Sequence, residues 1–213
     1  MPAPLPGRRA AAATLTLTLS GALALGVAAP ALAQSARPAA AVAASSASTT
    51  VTYAQWISDV TAVTDQAQAY LTGALASVPS GEKPAIVLDI DNTALASYFN
   101  SSYPVPATPP VLAIAQYAAA HGAKIFFVTG RPDIIDSFTQ YNLTNVGYQV
   151  DGLYSRNPIQ LFESLATFKT GARKQITADG YTIVANIGNS QSDLDGGYAQ
   201  ATFKLPDYNG LLD

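Results

Sequence analysis

The stretch AIVLDIDNTAL, residues 85–95, sets two carboxylates, Asp89 and Asp91, at the end of an apolar run, in a chain that is only 12% charged. At positions i and i+2, where a strand gives way to a turn, both side chains can point into one crevice. There they repel unless a cation or a shared proton lies between them. A hard divalent ion with oxygen ligands suits such a pair, and beside phosphate magnesium (Mg2+) is the natural choice. Asp193 and the amide oxygen of Asn189, both in GNSQSD (188–193), can complete its shell. Thr129 stands in FFVTGRP at a strand-to-helix junction, where backbone N–H groups from Gly130 onward make an anion cradle. Lys169, in FKTGARKQI, adds a positive charge. Paired aspartates, a cation, an anion cradle and a lysine are the parts of a phosphoryl-transfer site. Asp89 can attack phosphorus to form an acyl phosphate. Asp91 can protonate the leaving oxygen and later deprotonate water.

Each part has a plainer reading. Asp-Asn-Thr after a strand is also ordinary turn chemistry. DIDNT resembles the start of a calcium loop, but the sixth position is Ala94 and no glutamate stands at the twelfth. Lys169 alone reads as a solvated helix lysine, and Thr129-Gly130 alone as a loop. Tyr98, Phe99 and Tyr103, in ASYFNSSYPVPAT, either line an open mouth and stack on an aromatic leaving group or pack inside a flap. It is the conjunction, in this chain order, that points to phosphoryl chemistry.

These residues need a scaffold that brings strand ends together. Thr52 and Gln55 form a capping-box pattern before an amphipathic helix over 53–77. Residues 84–90 and 124–130 are short, mainly apolar runs with β-branched residues, as expected of strands covered on both faces. Thr108 with the two prolines opens a helix that Gly122 ends. Pro132 and Asp133 suit the start of another helix. VDGLYS reads as a third strand, 160–178 as a helix despite Gly171, YTIVANIGN as a fourth strand and ATFKLP as a short fifth. Alternating strands and helices predict an α/β doubly wound parallel sheet with helices on both faces. Such sheets bind ligands beyond the carboxyl ends of their strands, where every polar cluster named above falls.

Composition excludes several chemistries. The chain has no cysteine, so disulfides, zinc-thiolate sites and cysteine nucleophiles are ruled out. Its one histidine, His121, lies in the last turn of a helix, where partial positive charge is favourable. Arg8-Arg9, the apolar run Ala10 to Val27 and the Ala31-Leu32-Ala33 site mark residues 1–33 as an export signal peptide, with a retained anchor as the rival reading. Residues 34–50, rich in Ala and Ser, read as a disordered tether, leaving 51–213 as one domain. Loss of Arg8 and Arg9 takes the formal charge from −3 to −5. An acidic surface argues against nucleic acid polymer, or an anionic membrane after signal removal, as partner.

With those motifs stated, the chain resembles the haloacid dehalogenase (HAD) superfamily, and within it the secreted bacterial and plant-storage-protein-like acid phosphatases. The resemblance rests on VLDIDNTAL, FFVTGRP, FKTGARKQI and IGNSQSDLDGGYAQATFKLPDY, over residues 84–208. It implies a HAD-like Rossmannoid sheet. It makes Asp89 the nucleophile and Asp91 the acid/base with its backbone carbonyl on magnesium. Thr129, with Gly130, holds phosphoryl oxygens, Lys169 neutralises nucleophile and phosphate, and Asp193 holds the metal. One departure stands out: the family's fourth motif often reads Gly-Asp-x-x-x-Asp, whereas Asn189 stands at its second position here. The insert between the first two motifs is too short for more than a minimal cap. The expectation is a secreted, magnesium-dependent phosphomonoesterase acting on small-molecule phosphate monoesters. The rivals are a storage or binding protein on the same fold and a phosphotransferase.

Overall fold

The computed structural model describes residues 50–212. The expected signal segment 1–33, and the tether up to residue 49, lie outside the described residues. Five strands form one sheet: β1 (Lys83–Leu88), β2 (Lys124–Pro132), β3 (Gly152–Arg156), β4 (Tyr181–Gly188) and β5 (Ala199–Lys204), in the order β3-β2-β1-β4-β5. Every neighbouring pair is parallel. The order reverses direction at β1, so the crevice of a doubly wound sheet opens where β1 ends, at Asp89.

The apolar strands are covered on both faces because alternate residues enter different cores. Ile86, Leu88, Ile125 and Phe127 pack with α1 (Tyr53–Ala76), α2 (Pro109–Ala120) and α3 (Asp136–Asn145). Ala85, Val87, Phe126 and Val128 pack with Phe168, Ala172 and Ile176 of α4 (Leu165–Ala178). A one-residue shift would exchange the two sets, so the register is fixed by both cores at once. No helix among the described residues is long and apolar enough to cross a membrane.

Several local expectations are refined. Thr52 caps α1 by accepting from the Gln55 N–H at 3.2 Å. The second half of the capping box is absent, since the Gln55 amide turns forward to Asp59 Oδ1 at 2.8 Å, one helical turn on. The helix expected over 160–178 is divided. Gln160–Phe162 form a 3-10 turn, and Ser164 then caps α4 by accepting from the Thr167 N–H. The Arg156 guanidinium holds this break by donating to the Gln160 and Glu163 carbonyls. A single-turn helix, α5 (Gln191–Leu194), was not expected; four polar-rich residues carry too little periodicity to announce it. His121 ends α2 with Nδ1 on the Tyr117 carbonyl at 2.8 Å, a helix-end role as expected.

The insert after β1 is a flap fixed at both ends. The Ala96 N–H donates to the Pro106 carbonyl, and Leu95 bridges Ala107. Phe99 stacks on buried Trp56 of α1, with ring centres 4.9 Å apart. On the other side Asn142 of α3 clasps Val105, accepting from its N–H and donating to its carbonyl, both at 2.8 Å. The flap is therefore a pinned wall, not a cap domain.

Candidate active site

The ends of β1, β2 and β4 meet α4 in a small cleft of about 170 Å³, lined by Asp89, Asp91, Gly130, Arg131, Lys169 and Asp193 among others. Asp89 follows directly on β1, and its N–H still donates to the Ile187 carbonyl at 3.0 Å, so the last rung of the sheet aims its side chain. Lys169 reaches it from the middle of α4, with Nζ 2.7 Å from Asp89 Oδ1. The same ammonium bonds to Asp193 Oδ1. Lys169 is thus buried and bridging, not a solvated helix lysine.

Two carboxylates share this one ammonium, so the floor keeps an unbalanced negative charge. Burial pushes the Asp89 carboxyl up to about 7; Lys169 opposes the rise, while Asp193 and Asp91 add to it. Burial would depress Lys169, but Asp89 and Asp193 outweigh it and raise its proton affinity. Among the described residues no donor reaches Asp89 Oδ2.

Asp193 is held from several directions. Its Oδ2 accepts from the Ser190 N–H at 2.8 Å, and its backbone carbonyl accepts from Asn186 Nδ2 at 2.8 Å and from the Arg173 guanidinium. Arg173 lies one turn beyond Lys169 on α4 and is fully buried; it also donates to the Asp195 and Gly197 carbonyls. The loop must come very close to β4. A Cβ at Gly188 would lie 2.3 Å from Asp193 Cβ, so only glycine leaves room for this aspartate.

Asp91 has a different setting. Arg131 grips it with both arms of the guanidinium, Nε to Oδ2 at 2.8 Å and Nη2 to Oδ1 at 2.7 Å, and the Ser97 hydroxyl donates at 2.6 Å. Burial alone would raise Asp91, but the Arg131 bonds and charge outweigh it and hold the carboxyl below its usual range. Arg131 and Ser97 are contributors that the sequence reading did not select. Arginine after Thr-Gly was visible in the motif, but its partner 40 residues away was not.

The remaining expected residues divide. Thr129 is buried within β2, and its Oγ1 accepts from the Arg131 N–H at 3.2 Å across the stretch where the pairing with β3 shifts register. Asn189 lines the cleft, but its amide is engaged on both sides. Oδ1 accepts from the Thr93 hydroxyl and Nδ2 donates to the Leu212 carbonyl, each at 3.0 Å. Tyr103 lines an apolar groove of about 490 Å³ with Val105, Arg131, Ile135, Phe138 and Thr139, so Arg131 is a wall shared with the aspartate cleft. Its hydroxyl donates to the Phe138 carbonyl at 2.9 Å and its ring stacks on Tyr141. Tyr98 does not line that groove: it is an exposed side chain whose ring meets Phe99 edge-on. Of the three flap aromatics only Phe99 packs against the core, on Trp56.

Could a divalent cation be held here? Among the described residues no three His, Asp or Glu side chains group to hold one by themselves, because the Asp91 carboxylate is turned to Arg131. The oxygen donors still fit. Asp89 and Asp193 face each other across one lysine with a charge uncompensated, the setting a hard cation relieves.

The profile of the family described as HAD superfamily, subfamily IIIB (Acid phosphatase) matches residues 11–105 and 100–211. A stem 28 kDa glycoprotein of Glycine max is 31% identical over 136 residues, covering 62% of this chain and 54% of that one. Acid phosphatase 1 of Solanum lycopersicum is 33% identical over 103 residues, 47% of this chain and 40% of that one. The chain spans about half the length of the curated relatives it matches. Among solved structures, the class C acid phosphatase from Bacillus anthracis superposes with a TM-score of 0.54 at 22% identity, over 68% of this chain and 67% of that one, a likeness of fold.

Proposed function

The chain belongs to the HAD superfamily, subfamily IIIB of acid phosphatases, and from that premise we propose that it is an exported phosphomonoesterase working through an aspartyl-phosphate on Asp89. One observation carries the reading. Lys169 spans Asp89 and Asp193 in a buried cleft, while Asp89 Oδ2 has no donor among the described residues. That oxygen is the lone pair available to phosphorus.

In the first half-reaction Asp89 Oδ2 bonds to phosphorus and the bond to the leaving oxygen breaks. The leaving oxygen takes a proton from Asp91. Arg131 keeps Asp91 ionised at rest, so that proton arrives with the substrate as its monoanion, phosphate monoesters having a second pKa of about 6. In the second half-reaction water attacks phosphorus and gives a proton to Asp91, the bond to Asp89 breaks to release phosphate, and Asp91 returns its proton to the departing phosphate. Thr129 and the Gly130 backbone receive phosphoryl oxygens, and Lys169 offsets the charge of nucleophile and phosphate. Asp89, Asp193 and the Asp91 backbone carbonyl would hold magnesium. Bound there, it supplies charge neutralisation and polarises the phosphoryl group. The relatives named as stem glycoproteins are in keeping with export of this chain.

The groove beside Arg131 supports small monoesters with apolar or aryl leaving groups. The deciding experiment is phosphate release from an aryl phosphate, with magnesium and with a chelator, for wild type and Asp89→Asn. The expected result is metal-dependent turnover in the wild type and none in the variant. Turnover by Asp89→Asn above a few per cent of wild type removes the proposed nucleophile.

A further inference from the structure

The fourth motif's Asn189 does something its usual aspartate could not. A carbonyl oxygen accepts only from a donor, so the bond from Asn189 to the Leu212 carbonyl requires the amide NH₂, and its oxygen is thereby turned to the Thr93 hydroxyl. Asn92, between the two motif aspartates and Thr93, makes a matching contact. Its Nδ2 donates to the same Leu212 carbonyl at 2.8 Å, and its Oδ1 accepts from the Tyr98 N–H at 2.7 Å. Asn92 sits at φ 55°, a left-handed conformation that Asn tolerates better than most residues. Both amides are almost fully buried.

From these contacts we infer that Asn189 and Asn92 are positioning residues that clamp the segment 205–212 as one wall of the site. The segment is tied at intervals. The Leu205 N–H donates to the Gly188 carbonyl at 2.8 Å, the Tyr208 hydroxyl to Asp59 of α1 at 2.6 Å, and the Leu212 N–H to the Asp207 carbonyl at 3.1 Å. Leu212 itself is buried and lines the cleft beside Asp89 and Asp193. The carbonyl of Leu212 and the Thr93–Asn189 bond together hold the loop after β1 at a fixed distance from the loop after β4. That distance sets Asp89 against Asp193, and displacements of an ångström at reacting groups cost rate steeply. An aspartate at 189 would present an oxygen to the Leu212 carbonyl and break the clamp.

This inference rests on the proposed phosphatase reading only for its activity arm. The first arm measures hydrogen exchange at the Leu212 amide in the metal-free full chain. Loss of one buried amide bond is expected to raise exchange roughly tenfold in Asn189→Asp and in Asn189→Leu. If Asn189→Asp does not fold, Asn92→Ala, which removes the other donor to the same carbonyl, is read in its place. The second arm removes Leu211 to Asp213 and follows aryl phosphate hydrolysis. A loss in kcat of at least about tenfold is expected, with a smaller change in KM. Unchanged exchange in the variants overturns the clamp, as does tighter magnesium binding by Asn189→Asp with the segment still protected. Wild-type kcat in the shortened chain overturns the positioning role. A wild type without phosphatase activity leaves the exchange arm standing and sinks only the proposed reaction.

Discussion

Two aspartates two residues apart occupy opposite electrostatic settings. The Asp89 side chain is 7% exposed and shares one lysine with a second carboxylate. The Asp91 side chain is 42% exposed and has an arginine to itself. The first is buried with charge unbalanced and its carboxyl is raised; the second is half open with charge balanced and its carboxyl is lowered. Sequence distance says nothing about this difference. It arises because β1 aims Asp89 inward at α4 while the turn carries Asp91 outward to Arg131 near the end of β2. In the proposed reaction these environments would divide the roles, with Asp89 on the floor as nucleophile and Asp91 at the rim, beside the Arg131 groove, as acid and base.

The largest expected effect comes from emptying the floor of its cation. Lys169→Met leaves Asp89 and Asp193 facing each other without an ammonium. Breaking a buried pair of this kind costs about 3–5 kcal/mol, so the variant is expected to lose turnover and much of its stability together. Denaturant midpoints with and without magnesium measure it. A variant as stable as wild type in chelator contradicts the charge balance described for the floor.

The comparison also predicts opposite slopes of stability with pH. The native Asp89 carboxyl titrates at about 7, against the ordinary 3.8 that the unfolded chain approaches. Between those values the native state binds a proton that the unfolded chain has released, so metal-free stability falls as pH rises and levels off above about 7. Asp91 works the other way. Its lowered value gives stability that is present above the ordinary carboxylate range and lost as pH falls below it. Urea titrations in chelator from pH 4.5 to 7.5 are expected to show the fall in wild type and its absence in Asp89→Asn. A wild type with no slope in this window contradicts the raised carboxyl.

A smaller effect is expected at the rim. Arg131→Met frees Asp91 from its bidentate partner, but the pair is partly solvated, and such pairs contribute about 1 kcal/mol or less to stability. Activity is expected to suffer more than stability, because the same arginine walls both cleft and groove. Matched thermal melts and kcat/KM values test this; a loss of several kcal/mol in stability with activity retained reverses the assignment.

How much of this was legible in the chain follows from the same contrast. The strands of the sheet were readable because apolar, β-branched runs covered on both faces leave a pattern in the sequence itself. Asp89, Lys169 and Asp193 were selected because three motifs in fixed order carry them to one sheet edge. Arg131 and Arg173 escaped because the first acts on a partner 40 residues away and the second on backbone carbonyls, which leave no residue signature; Ser97 is near Asp91 in sequence but reaches it only through the fold of the flap. Asn189 was read for its amide oxygen as a cation ligand, and its use of the amide NH₂ depends on where residue 212 comes to lie. The break before α4 escaped because Ser164 is a cap only once Glu163 is extended, which Arg156 helps to hold.

The finest distinction concerns the two tyrosines of the flap, which extend the contrast between floor and rim. Tyr103 walls the groove that continues from Arg131, with its hydroxyl on the Phe138 carbonyl and its ring on Tyr141. Tyr98 is exposed and meets Phe99 edge-on. Truncating Tyr103 removes an apolar wall from the leaving group while leaving the phosphoryl contacts in place. Partial burial of an aryl group against such a wall contributes about 1 kcal/mol, so Tyr103→Ala is expected to lower kcat/KM for naphthyl phosphate roughly fivefold relative to glycerol phosphate. Tyr98→Ala removes an edge-to-face contact within the flap instead. Its expected outcome is a stability loss of about 1 kcal/mol with the ratio of the two substrates unchanged. Measuring both substrates on both variants separates groove from packing. If Tyr98→Ala shifts the ratio and Tyr103→Ala does not, the leaving group lies on the α1 side of the flap, and the rim does not extend along Arg131.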